Sequence, residues 1–579
     1  MRVSRRLHLM LAPHGLAFLV SRLQDSYGDS AHRIVSERPY ELTSVFGVGF
    51  LTADRIARGF GVPPGGRERA RAATLHLLAE AERSGSTCMP IDSLLASLEE
   101  LLGSPTDPAL IDELVAAGDL VRAERWIYRR QTAELEAELA GRVADLVAGE
   151  HSKRLAGPAA DAAANGGDAA TDPPPGSGPE LTAEQRTGVR NAVTHRLSLI
   201  TGGPGTGKTA SLRAIAGLAA GRGARVMLVA PTGRAAIRMS DASGVRARTV
   251  HSALGWIPGE GPTHDEEDPL ACDLLIVDET SMANLELLVT LLRAVGPKTH
   301  VVLVGDADQL APVGAGKPFA ELVSSGAVPT TRLTHIFRQA AGSMIVQGAH
   351  AIRRGEAPDF AATAGMRRDL FLIERANPQA AREEIVSLVG QRLPSHYRVD
   401  PVRDIQVFAP VYRGELGIDA LNTALREVLN PDGKPVRGGR LRIGDKLMMT
   451  GRNLHELGLM NGTMLRLLDE VSGADDDDDP ALILSADEAV FRLPPEESDS
   501  LRLAYACSVH RGQGIELPVA VIVAHAAAGA FFLRREMLYT AVTRATLATV
   551  IVGTCDVIAR AARTPDTGRR HSRVAERLA

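Results

Sequence analysis

The run TGGPGTGKT, residues 201–209, sets Gly202, Gly207, Lys208 and Thr209 at the spacing G-x-x-x-x-G-K-T. Glycines at these positions let backbone N–H groups wrap phosphate oxygens. Lys208 can pair with the β- and γ-oxygens of a nucleotide, and the Thr209 hydroxyl can ligate Mg²⁺. Gly203, Pro204, Gly205, Thr206 and Ala210 complete the loop and open the element that follows. In LLIVDETSM an apolar run delivers two adjacent carboxylates, Asp278 and Glu279. Asp278 suits the Mg²⁺ shell, and Glu279 suits orienting and deprotonating an attacking water. Gln309, in LVGDADQLAPVG, can sense a γ-phosphate, and Gln185, in LTAEQ, is expected to read the adenine edge.

Such residues need rigid supports. RLSLITG before the glycine-rich loop, ARVMLVAP, CDLLIVDE and THVVLVGD are short apolar runs ending in glycine- or acid-containing turns, alternating with helical stretches such as ASLRAIAGLAAG. That pattern predicts buried parallel strands of a doubly wound α/β sheet. A second set, DIQVFAP, VAVIVA and ATVIVGT, predicts a second α/β domain, with GIDALNTALREVLN as one of its helices. Residues 436–500 are β-rich and predict a small β-barrel insert, with DDDDD at 475–479 as a solvated loop. Residues 155–180, rich in Ala, Gly and Pro, predict a disordered linker. Before it, LTSVFGVGFLTADRIARGFGV places Gly47, Val48 and Gly49 in a turn between helix-like segments. This is a helix–hairpin–helix pattern over 1–85, in which Gly47 and Gly49 would offer N–H groups to a DNA phosphate. Residues 86–154 read as a winged-helix-like region.

Bulk properties agree. A chain of 579 residues exceeds one core and suggests three to five domains. A net charge of −5 argues against blanket polyanion binding, although residues 1–85 hold 12 Arg against 8 acidic groups. Cys88, Cys272, Cys507 and Cys555 are too dispersed for a zinc site and fit reduced thiols. MRVSRRLHLMLAPHGLAFLV and LPVAVIVAHAAAGAFFL are interrupted by Pro and His, so both are read as core, and a soluble cytoplasmic protein is expected.

Nine stretches occur in a characteristic order: LTAEQ, GGPGTGKT, APTGRAA, TVHSALG, IVDETSM, VGDADQLAPVG, FRQ, SVHRGQGIE and YTAVTRA. Together they resemble the ordered motifs of superfamily 1 DNA helicases, within them the RecD-like branch. PYELTSVFGVGFLTADRIARGFGV is similar to the helix–hairpin–helix region of the stand-alone subgroup. The resemblance covers nearly the whole chain. It implies two RecA-like domains, 181–345 and 346–435 with 501–579, holding ATP and Mg²⁺ between them. It also implies that Arg338 and Arg544 reach the γ-phosphate, that Gln513 links DNA to nucleotide, and that Thr232, Thr249, His251, Asn461 and His510 touch the single strand. Residues 255–270 fall where the family inserts a duplex-splitting pin, here short and acidic. Departures are Arg511-Gly512 for Lys-Ser, Thr463 for Asp and Thr546 for Lys. An N-terminal domain of longer relatives is expected to be missing.

The expectation is a monomeric ATP-dependent helicase moving 5′→3′ on single-stranded DNA, in DNA repair or recombination. Its partners would be single strands, single/double-strand junctions and a single-strand-binding protein, with no membrane. Two alternatives stay open at this stage: a translocase that remodels protein–DNA complexes, and an ATP-switched DNA-junction binding module.

Overall fold

The structure is a computed structural model that describes the chain apart from residues 1, 15, 45–47, 62–65, 151, 153, 156–180, 258–259, 362–364, 452–453, 455–456, 458, 460, 472–480, 487–488, 530 and 567–569. Leu7 and Leu11 lie one turn apart on the helix Arg2–Leu11 and are buried, whereas Arg5, Arg6 and His8 face solvent. The same one-sided patterning gathers the helices Val20–Tyr27, Ala31–Glu37, Phe50–Gly59 and Arg67–Arg83 on one core. Within it Asp54 accepts from Tyr40 Oη and Arg69 Nε, each at 2.8 Å. A three-stranded antiparallel sheet follows, β1 (Met89–Pro90), β2 (Leu120–Ala123) and β3 (Trp126–Arg129), in the order β1-β3-β2. The helices Ile91–Leu102 and Ala109–Ala116 pack beside it.

The helix Arg130–Ala148 ties this region to the next. Leu139, Val143 and Leu146 sit in one core with strands of the first large sheet. Glu138 pairs with Arg293 and Arg142, and these guanidinium groups, Arg293 foremost, hold its carboxyl down at about 2. Leu155, the first residue of the predicted linker, is fully buried, and its carbonyl accepts from Arg222. Its remaining residues, 156–180, and the acidic run 475–479 lie outside the described residues.

The first large sheet comprises β4 (Leu197–Gly202), β5 (Val226–Ala230), β6 (Ala247–Thr249), β7 (Leu274–Val277), β8 (His300–Gly305) and β9 (Thr330–Leu333). All its pairs are parallel, in the order β6-β5-β7-β8-β4-β9. Parallel strands covered on both faces must be apolar throughout, and all six residues of β4 and all four of β7 are buried. The phosphate-loop sequence follows β4, Asp278 follows β7, Asp306 to Gln309 follow β8, and Arg338 comes after β9. Every one is at the carboxyl edge, where open α/β sheets bind ligands.

The second half begins with β10 (Leu370–Glu374) and β11 (Ile405–Phe408). The insert holds the pair β12 (Pro435–Val436) and β13 (Leu441–Arg442). It then runs β14 (Lys446–Met449), β15 (Met464–Val471), β16 (Ala481–Ala486), β17 (Ala489–Leu493) and β18 (Leu501–Leu503), an antiparallel sheet in the order β17-β16-β15-β14-β18. This corrects the barrel expectation. Among the described residues β17 and β18 each pair on one side only, so the sheet stays open. The chain then completes a second parallel sheet with β19 (Ala506–Cys507), β20 (Leu517–Ala524) and β21 (Ala545–Gly553), in the order β10-β21-β20-β11-β19. The apolar stretch from Leu517 is thus a central strand. No helix among the described residues is long and apolar enough to cross a membrane.

After the helix Cys555–Arg563 the chain crosses back to the N-terminal region. His571 O accepts from Thr87 N at 2.7 Å, Arg573 N donates to Glu136 at 2.9 Å, and Ser572 Oγ lies 2.8 Å from Glu321 Oε2. Burial pushes the Glu321 carboxyl up to about 7; Ser572 and Lys317 oppose the rise and Glu136 adds to it. The folded chain therefore keeps a proton that the unfolded chain releases from its ordinary 4.5. Stability from this group is full below that value and is lost as pH rises through the folded pKa. Glu321→Gln, which cannot ionise, is expected to raise the unfolding free energy by an amount of order 1–3 kcal/mol at about pH 8, and to leave it unmoved at about pH 4. Calorimetry at the two pH values checks it.

Candidate nucleotide site and the cleft beside it

Gly207 caps the helix Lys208–Gly221 in the left-handed region, at φ +80°. A Cβ there would come within 2.5 Å of Gln185 Nε2 and 2.6 Å of the Phe337 ring, so glycine is needed for both conformation and space. Lys208 Nζ donates to Gly202 O at 2.5 Å and reaches Gly203 O at 3.3 Å, folded over its own loop. Thr206 Oγ1 donates to Gly203 O at 2.8 Å. Thr209 is exposed on the first helical turn, while Pro204 and Ala210 are half-buried. Gln185 is buried within a capping box: its Oε1 accepts from Thr182 N at 2.9 Å and its Nε2 donates to Gly207 O at 3.1 Å. Both ends of that amide are thus engaged by protein, so it braces the loop. One Nε2 proton and one Oε1 lone pair are left over for a further bond.

At the end of β7, burial pushes the Asp278 carboxyl up to about 6, with Glu279 adding to the effect and Lys208 and Arg238 opposing it. Glu279 N donates to Asp278 Oδ1 at 2.9 Å. Glu279 itself has φ +52°, an uncommon conformation for a residue with a side chain. A carboxylate and a hydroxyl, Asp278 and Thr209, form an all-oxygen donor set of the kind that Mg²⁺ takes together with phosphate and water. The residues therefore fit that ion. After β8, Gln309 Oε1 and Ser281 Oγ are buried with no hydrogen-bond partner among the described residues. They line a cavity of about 130 Å³ together with Asp306, Lys317, Glu536 and Arg570.

The second half closes over these groups. Arg544, after the helix Arg535–Val542, is 5% exposed. It donates to Thr540 O at 3.0 Å, with Thr543 Oγ1 at 3.3 Å and Ile515 O at 3.5 Å. Among the described residues it has no carboxylate partner. Burial lowers its pKa from the ordinary arginine value, and Glu279 is the foremost group opposing that fall. Gln513 Nε2 donates to Leu310 O at 2.6 Å, and Thr540 Oγ1 accepts from Leu310 N at 2.8 Å. Tyr539 Oη donates to the buried Asp306 at 2.7 Å, and a Cβ on Gly203 would lie 3.1 Å from the same hydroxyl. Sequence reasoning passed over Tyr539 and Asp306, although YTAVTRA and VGDADQ contain them. Arg338 opens the short helix Arg338–Ala341. Phe337 N donates to Gly205 O at 3.3 Å and Ala340 Cβ stands against Gly205, so the Arg338 backbone lies directly over the loop. The Arg338 side chain lies outside the described atoms.

The residues expected to meet DNA are more scattered. Thr232 and Thr249 cap helices, accepting from Ala235 N at 3.3 Å and Ser252 N at 3.1 Å. Each hydroxyl can still donate its own proton to a phosphate oxygen. His251 stands edge-on to Trp256, with centroids 5.3 Å apart. Burial lowers the pKa of His510, with Arg570 adding to the fall and Asp566 opposing it. Asn461 is exposed at a turn before β15. Gly49 is exposed ahead of the helix Phe50–Gly59, and Gly47 lies outside the described residues. In the predicted pin, Ile257 and Gly261 form an isolated bridge, and the acidic tip is held down by a Glu266–Arg142 ion pair.

Comparison with known proteins now adds to this geometry. Residues 1–88 match the family described as the ATP-dependent RecD2 DNA helicase HHH domain, 180–370 an AAA domain, and 503–552 the UvrD-like helicase C-terminal domain. The ATP-dependent RecD2 DNA helicase of Deinococcus radiodurans is 34% identical over 93% of this chain and 73% of its own length. The chain belongs to the RecD2 family of ATP-dependent DNA helicases. The RecBCD enzyme subunit RecD of Mycolicibacterium smegmatis is 32% identical over 64% of this chain and 70% of its own. Among solved structures, Pif1 helicase from Candida albicans aligns over 69% of this chain and 99% of its own at 19% identity, with a TM-score of 0.40. A RecD2 assignment explains why a helix–hairpin–helix region stands before the two parallel sheets.

Proposed function

We propose that this RecD2-family chain hydrolyses ATP in the cleft between its two parallel sheets and uses cleft closure to move 5′→3′ along single-stranded DNA, separating duplex ahead of it. The phosphates would lie along residues 202–210, with Lys208 on the β- and γ-oxygens. Glu279 would orient and deprotonate the water, and Gln309 would sense the γ-phosphate. Arg338 and Arg544 would stabilise the charge that spreads over the transferring group. Thr209 and Asp278 would hold Mg²⁺, which, when bound, neutralises charge on the β- and γ-oxygens. Thr232, Thr249, His251, Asn461 and His510 would hold the strand, and Gly47 and Gly49 would hold backbone phosphates at a single/double-strand junction. The chain would act in the cytoplasm as a monomer, in repair or recombination, on strands that a single-strand-binding protein also covers.

One observation carries this reading. Arg544 of the second half is a buried cation with no carboxylate partner among the described residues, and Glu279 of the first half is the foremost charge opposing the fall that burial imposes on it. Buried charges are normally paired, and a γ-phosphate would supply the missing anion. ATP turnover measured with and without oligothymidylate tests it. Stimulation of about tenfold or more is expected, within the range of ordinary site–site coupling. Turnover that ignores DNA would remove the motor reading.

A further inference from the structure

Arg238 belongs to the helix Gly233–Ser243, in the first half of the motor, and its guanidinium is shared between two carboxylates from different halves. Nη1 donates to Glu516 Oε2 at 2.6 Å, and Nη2 donates to Gly514 O at 3.2 Å. The same Nη2 stands 3.5 Å from Oε1 of Glu279, an ion-pair distance too long for a good hydrogen bond. Nε is buried with no partner among the described residues. Glu516 and Gly514 follow the His510–Gln513 turn in the second half. That loop is pressed onto the first half. At Gly514 a Cβ would lie 3.0 Å from Thr232 Oγ1 and 3.3 Å from Met282 Sδ, and Gln513 donates to Leu310 O. Burial alone would lower the Arg238 pKa, but Glu279 and Glu516 outweigh it and hold the group charged.

We infer that Arg238 is a positioning residue that passes between Glu516 and Glu279 as the cleft closes and opens, so that the loop expected to hold DNA controls the carboxylate expected to activate water. This rests on the reading of Glu279 given above and names how that site is regulated. With the cleft closed, Glu516 and the Gly514 carbonyl take the strong edge of the guanidinium and keep it off Glu279. When the second half withdraws, both acceptors leave with it. Glu279 is then the nearest remaining carboxylate to a half-buried cation whose Nε is enclosed without a partner among the described residues. Arg238 closes on it, and a carboxylate engaged in a full ion pair is a poorer acceptor for a water proton. Hydrolysis is thereby restrained until the loop is seated. Coupling energy needs such a two-state element that both sites bias.

The test is a double-mutant cycle on the full chain, read as ATP turnover with and without oligothymidylate. Glu516 is 45% exposed, so Glu516→Gln leaves the fold intact. It is expected to lower DNA-stimulated kcat about tenfold with little change in KM for ATP, because Arg238 now rests on Glu279 in both states. Arg238→Gln is expected to raise DNA-free turnover several-fold, and Arg238→Lys, which keeps the charge, to restore its restraint. Adding Arg238→Gln to Glu516→Gln is expected to recover most of the lost kcat. A merely structural ion pair gives a different pattern: both single variants lose activity and the double variant is no better. That pattern, or an Arg238→Gln that lowers DNA-free turnover, overturns the inference. Should the unmodified chain show no DNA-stimulated turnover at all, the motor reading itself fails and takes the inference with it.

Discussion

Arg544→Ala is expected to lower DNA-stimulated ATP turnover by roughly 10³- to 10⁵-fold, the range found for arginines that stabilise phosphoryl transfer. KM for ATP should change far less, because the interaction is made mainly as charge spreads over the transferring group. The guanidinium is already enclosed, oriented by the Thr540 carbonyl at 3.0 Å, and is held by no carboxylate among the described residues. Its reorganisation on meeting a phosphate is therefore small. Arg544→Lys keeps a charge but loses the planar fork, and is expected to recover only a small part of the rate. Truncating a buried side chain that donates to Thr540 O, Thr543 Oγ1 and Ile515 O leaves a cavity and should cost about 2–5 kcal/mol, so turnover is measured well below the variant's thermal midpoint to separate a catalytic defect from unfolding. Steady-state kinetics over a range of ATP concentrations, with calorimetry alongside, check both parts.

Lys208→Ala is expected to lower turnover by about 10²- to 10³-fold, the usual loss when one preorganised charge-stabilising donor is removed, and to abolish strand displacement. Among the described residues Lys208 Nζ bonds to the carbonyls of Gly202 and Gly203, both in its own loop. Truncation should therefore leave the two sheets and their cleft unchanged, at a net stability cost of about 1 kcal/mol. Affinity for single-stranded DNA should persist, since the residues assigned to the strand lie on other loops. Fluorescence anisotropy with a labelled oligonucleotide, run beside the ATPase assay, reads the two properties separately. Loss of DNA affinity together with turnover would place Lys208 in a structural role.

The motor was legible in the sequence because its signals are local. Each strand that carries chemistry is a short apolar run ending at the reactive residue, as in LLIVDE, and parallel sheets require that pattern. What was not legible depends on distant partners. The insert reads as strands, but whether its edges β17 and β18 meet is a matter of sheet curvature that no short stretch encodes. Leu155 looked like linker by composition; its burial depends on Arg222, which follows 67 residues later. Residues 570–579 carry few apolar groups, and their docking relies on Thr87, Glu136 and Glu321, far away in the chain. The sequence places Gln185 as a reader of the adenine edge; that it also closes a capping box and braces Gly207 depends on contacts no short motif displays. Arg238 showed no sequence signal at all, because its meaning lies in a carboxylate 278 residues away.

Strand displacement on matched duplexes bearing a 5′ or a 3′ single-stranded tail, with ATP and with Lys208→Ala as control, tests the central claim most directly. Displacement of the 5′-tailed duplex alone, abolished in the control, is the predicted result. Displacement of the 3′-tailed duplex alone would contradict the direction of movement, and displacement of neither would contradict unwinding by this chain.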